Sequence, residues 1–75
     1  MQKLAPHVVF GKVVKQLREE KKMTQEKLAE LAEIDRTYIY RLETGKRSPS
    51  LAIIFRIAQA LKLPPAQLIE KVSKF

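Results

Sequence analysis

The sequence predicts an all-α fold, a compact domain of five helices, and three observations point there. Apolar residues recur at three- and four-residue spacing in five separate stretches. Thr24, Asp35, Gly45, Ser50 and the pair Pro64–Pro65 stand between those stretches, where helix caps and stops belong. No run alternates apolar and polar residues as a half-buried strand would. The 75 residues suffice for one small core and no more.

The first helix is read from Val9 to Lys21, so residues 1–8 form an N-terminal segment and residues 9–75 the domain. Phe10, Val13, Val14 and Leu17 share one stripe of it, with Lys12, Lys15, Glu19 and Glu20 outside. Thr24 caps the second helix, QEKLAELA, and Met23 with Leu28 occupies the two positions of a hydrophobic staple. Asp35 caps the third, with Ile34 and Ile39 as its staple, and Gly45 ends it at the position that wants a left-handed residue. GKRSPS is a loop. Ser50 then caps the fourth helix, SLAIIFRIAQALK, whose mostly apolar composition predicts a central place. Pro64 and Pro65 pre-set the first turn of the fifth, QLIEKVSKF.

Fifteen Lys and Arg against eight Asp and Glu leave a net charge of +7. That balance suits a polyanion: nucleic acid first, an acidic membrane surface second, an acidic protein third. The chain has no cysteine, hence no disulfide framework and no thiolate metal site. MQKLAPHVV is too short and too broken for a signal peptide, and no apolar run approaches a membrane span of about 18 residues. A cytoplasmic protein is expected.

The third helix carries the functional signal. At about 100° per residue, Arg36, Thr37, Tyr40, Arg41 and Thr44 fall within roughly 140° of arc. Tyr38, Ile39 and Leu42 fall opposite, toward the core. Solvated helix faces mix signs, as Glu26, Lys27, Glu30 and Glu33 do on the second helix. The outward face of the third holds two arginines and no acid. Arginine forks match guanine edges and phosphates, threonine can touch a thymine methyl, and tyrosine can do either. Only Glu33, Ile34 and Asp35 join this helix to the one before, so the two must cross steeply. That is a helix-turn-helix, whose second helix enters the major groove of DNA. Leu28, Ala29, Ala32, Ile34, Ile39 and Leu42 are the apolar or small residues its packing needs.

TQEKLAELAEIDRTYIYRLETGKRSPSL closely resembles the Cro/repressor-type (XRE-like) helix-turn-helix family. The DRTYI run and the GKRSPSL loop are most similar to restriction–modification controller proteins and small phage-type repressors. The resemblance runs from Phe10–Gly11 to Gln67–Ile69 and implies a lambda-repressor-like DNA-binding fold. It implies base reading by Arg36, Thr37, Tyr40 and Arg41. It implies phosphate contacts from Gln25, Thr44, Lys46 and Arg47, and an internal ion pair between Arg18 and Glu43. Tyr38 reads as a half-buried core residue whose hydroxyl still reaches a phosphate. The family has glycine where this chain has Lys22 and Glu33, and small residues where it has Tyr40. A left-handed Lys22 or Glu33 would cost about 1 kcal/mol each.

No catalytic set appears. His7 has no second ligand at metal spacing, and Asp35 and Glu43 lie about 12 Å apart along one helix. The expected protein is a DNA-binding transcriptional regulator, not an enzyme, with no cofactor and no small-molecule ligand. One helix reads few base pairs, so a homodimer on a palindromic operator is expected. Ile53, Leu68, Ile69, Val72 and Phe75 supply the apolar stripe for that interface, with Leu68 and Ile69 equally placed to complete the monomer core, and Leu4 and Val8 are placed to cover it. The other reading is a protein-binding adaptor or antitoxin-like module using the same stripe. A basic amphipathic membrane binder fits less well, because a folded bundle hides its apolar faces.

Overall fold

A computed structural model describes residues 4–75. Met1, Gln2 and Lys3, the beginning of the expected N-terminal segment, lie outside the described residues. Five helices follow in order: α1 (Pro6–Glu20), α2 (Gln25–Ala32), α3 (Arg36–Glu43), α4 (Leu51–Ala60) and α5 (Pro65–Ser73). There is no strand among the described residues.

The starts of α2, α3 and α4 are held by side chains. Thr24 Oγ1 accepts from Lys27 N, Asp35 Oδ1 from Thr37 N and Ser50 Oγ from Ile53 N. Each bond occupies one of the amides that a helix leaves unpaired at its first turn. The first helix begins at Pro6, three residues before the expected Val9. Proline at the first helical position loses no hydrogen bond and already has the helical φ, so the apolar stripe starting at Val9 misses that turn.

The first four helices end alike. A left-handed residue follows each: Lys22 (φ 56°), Glu33 (φ 57°), Gly45 (φ 74°) and Lys62 (φ 60°). The next amide reaches back to the carbonyl five residues earlier: Met23 to Arg18, Ile34 to Ala29, Lys46 to Arg41 and Leu63 to Ala58. This is the Schellman closure, and Met23, Ile34 and Leu63 then fold onto the core. Glycine takes the left-handed position only once. Lys22→Gly, Glu33→Gly and Lys62→Gly should therefore each stabilise the domain by about 0.5–1 kcal/mol, after allowing for the looser unfolded chain. Thermal melts read this directly, and three unshifted midpoints would show that no strain is stored there.

Val9, Val14, Leu28, Ile39, Leu42, Ile57, Leu61 and Leu68 are fully buried. α1 packs on α3 and α5, α2 on α3 and α4, and α4 on α5. Two expectations need correction. α4 is not central: Ile57, Ala58 and Ala60 face the core, while Leu51 is 70% and Phe55 53% exposed. The expected interface stripe also splits. Leu68 (0%) has no surface to offer a second chain and Val72 (9%) has little, because they close α5 onto the core. Ile69 (44%) and Phe75 (53%) stay exposed, and Ile53 is half-buried against the core.

Candidate nucleic-acid interface

The outward face of α3 is presented by what holds its back. Ile39 and Leu42 are fully buried. Gly11 of α1 lies so close to α3 that a Cβ on it would overlap the Leu42 carbonyl oxygen and stand 3.2 Å from Glu43 Cα. One carboxylate then ties three helices. Glu43, at the end of α3, accepts from Arg18 Nε (2.7 Å) and Nη2 (3.0 Å) of α1, and from Gln25 Nε2 (3.0 Å) at the start of α2. Arg18 Nη1 also donates to the Met23 carbonyl at 2.7 Å. Both charges are almost wholly enclosed, with side chains 11% and 2% exposed. The bond to Glu43 raises the Arg18 pKa above the ordinary arginine value, outweighing the opposing effect of burial. A raised cation pKa adds stability that is present everywhere below the unfolded value. Arg18 therefore brings no pH dependence near neutrality.

On the outward side, Arg36, Thr37, Tyr40, Arg41 and Thr44 are all exposed. Neither Arg36 nor Arg41 has an ion-pair partner among the described residues. The Thr44 hydroxyl donates to the Tyr40 carbonyl at 2.8 Å, so its proton is turned back on its own helix. Lys46 and Arg47 follow in the loop between α3 and α4, both exposed. Tyr38 packs its half-buried ring against the core and carries the Arg47 guanidinium 4.8 Å from the ring centre. Gln25 sits at the rim with its amide already directed to Glu43.

Arg56 was not singled out by its sequence position. From α4 it donates to the Glu33 carbonyl at 3.3 Å and steadies the turn between α2 and α3. Leu51 and Phe55 were also missed as surface residues. Their signal was present: α4 has more apolar positions than one small core can cover.

Residues 14–68 match the helix-turn-helix family model. The chain belongs to the helix-turn-helix family. It is 42% identical to control protein C.BamHI of Bacillus amyloliquefaciens over 64 residues, which cover 84% of this chain and 79% of that one. The controller protein C.AhdI of Aeromonas hydrophila superposes with a TM-score of 0.82 at 40% identity, over 87% of this chain and 98% of that one. A third match is the controller C.Esp1396I, solved as a tetramer with its natural 35 base-pair operator. It gives a TM-score of 0.87 at 30% identity, over 96% of this chain and 95% of that one. The chain is thus a DNA-binding transcriptional regulator and not an enzyme. No helix among the described residues is long and apolar enough to cross a membrane.

Proposed function

We propose that this regulator binds a palindromic operator as a homodimer, with α3 of each protomer in the major groove. The observation that carries this reading is the acid-free outward face of α3, on a helix whose opposite face is clamped to α1. In this reading Arg36, Thr37, Tyr40 and Arg41 meet base edges. Gln25, Thr44, Lys46 and Arg47 meet phosphates of the same half-site, with Tyr38 beside Arg47. Thr44 would first release its bond to the Tyr40 carbonyl. The operator complex of C.Esp1396I supports the reading by kinship.

For the dimer, the exposed apolar side of α4 replaces much of the stripe expected from sequence. Leu51 and Phe55 lie one turn apart on it, and Ile54 shares a hollow of about 260 Å³ with Ile69. Phe75 lines a separate hollow, between α1 and α5. Phe55→Glu should leave the fold intact, because the side chain is half exposed, and should yield a species of one 8.7 kDa chain in equilibrium sedimentation. A variant that associates as the parent does would move the interface elsewhere.

Selection of bound duplexes from a random pool tests the operator. Two inverted half-sites, centred about one helical turn apart, are expected, and no enriched sequence would overturn the reading. Arg36→Ala should cost about 1–3 kcal/mol of discrimination at one base position and leave the melting curve unchanged. Equal weakening on every sequence would instead place Arg36 on a phosphate.

A further inference from the structure

The loop after α3 would ordinarily leave a long cationic side chain free to sample solvent. Arg47 does not hang free. Its guanidinium rests 4.8 Å from the centre of the Tyr38 ring, and that ring is fixed from below by the core. The stack forms one wall of a hollow of about 240 Å³, completed by Asp35, Thr37 and Arg41. Two arginines thus line one hollow with a single acidic residue. Asp35 Oδ1 is already engaged, accepting from Thr37 N at 3.2 Å. The hollow is net positive, shallow and flanked by the start of α3. Those properties suit a singly charged phosphodiester.

From this geometry we infer that Tyr38 is a positioning residue: its ring holds the Arg47 guanidinium ready for a DNA phosphate, and the ring acts through Arg47 rather than through its own hydroxyl. The inference rests on the DNA-binding reading above. A planar guanidinium stacked on an aromatic face keeps its edge N–H donors free in the ring plane, where a phosphate oxygen can meet them. Prior stacking also removes part of the ordering cost that a loop arginine meets on binding.

The test uses the full chain and a mixed-sequence duplex of about two helical turns, on which binding is dominated by phosphates. Tyr38→Phe keeps the ring and should bind as the parent does. Tyr38→Leu removes the stack and should weaken binding about two- to five-fold, the range of an exposed cation–π contact. The slope of log affinity on log salt should become shallower by about 0.9 for each phosphate given up. In an Arg47→Ala background, Tyr38→Leu should do nothing further. Melting curves of each variant show that folded protein is compared.

A Tyr38→Phe loss as large as that of Tyr38→Leu would assign the role to the hydroxyl and overturn the inference. So would a Tyr38→Leu effect that persists in full without Arg47. The free protein supplies a separate readout: ring-current shifts of the Arg47 side-chain protons should be present in the parent and in Tyr38→Phe, and absent in Tyr38→Leu. Absent shifts in the parent would remove the stack itself. A parent with the shifts but without affinity for any duplex would overturn the DNA-binding reading, and the phosphate role of Arg47 with it, while leaving the stack in place.

Discussion

Glu43→Ala is expected to lower stability by about 3–5 kcal/mol, the cost of removing one partner of a buried ion pair. For a domain of this length, total stability is about 4–11 kcal/mol, so a large share would be lost. The size of the effect follows from what stays behind. Arg18 would keep its bond to the Met23 carbonyl but lose both contacts to the carboxylate, and Gln25 would lose its acceptor. A guanidinium enclosed to this degree cannot recover full hydration. Urea unfolding measures the loss. Glu43→Gln should fall between the two, since it keeps an acceptor oxygen and loses the charge. Replacing both partners with apolar residues of similar volume should recover much of the stability, because no orphaned charge would remain. If Glu43→Ala melted with the parent, the pair would be acting as a surface bridge, worth about 0–1 kcal/mol.

Gly11→Ala should be nearly as damaging, at about 2–3 kcal/mol. Elsewhere in a helix the change would stabilise by about 1 kcal/mol, since alanine is the better helix former. Here the added Cβ would overlap the Leu42 carbonyl oxygen, with the Leu42 carbonyl carbon at 2.9 Å and Glu43 Cα at 3.2 Å. All three are backbone atoms, so no rotamer change can make room. The two helices must move apart, and overpacking of this kind costs about 1–3 kcal/mol or more. Because α3 itself moves, DNA affinity should also fall at temperatures where the variant is fully folded. A folded Gly11→Ala protein with parental affinity would show that the α1–α3 joint tolerates a shift without disturbing the DNA-facing side chains.

The two variants probe the same joint from two sides, and the joint shows how far sequence could reach. Three caps, at Thr24, Asp35 and Ser50, and the left-handed Gly45 are local events, decided by neighbours within four residues. They can be read directly from residue types. The division of α3 into a core side and an outward side is equally local, because a helical period of about 100° per residue fixes it once the helix exists. The left-handed places at Lys22 and Glu33 came through family resemblance. The same turn at Lys62 carried no such mark, since lysine at that position has no conformational preference to betray it.

What sequence left open was which of several apolar surfaces would be covered. The face of α4 that bears Leu51 and Phe55 runs on to Gln59, but Ala52 and Ile54 on either side are apolar, so a single polar residue one turn beyond Phe55 marks the face as exposed only weakly. On α5 the stripe of Leu68, Ile69, Val72 and Phe75 is continuous in sequence, yet the packing of α5 on α1 and α4 covers Leu68 and Val72 alone. Likewise the stack of Arg47 on Tyr38 joins a loop to a helix across a gap that no local rule sets.

Five helices, their caps, the helix-turn-helix and the acid-free face of α3 were legible in the residues alone, because each depends on a short period or a neighbouring side chain. Tertiary packing alone places α4 at the surface, brings Gln25 onto the Arg18–Glu43 pair and makes Gly11 the point where α1 meets α3. Those outcomes depend on which helices touch, and a 75-residue chain has too few contacts for every apolar face to find a partner within itself.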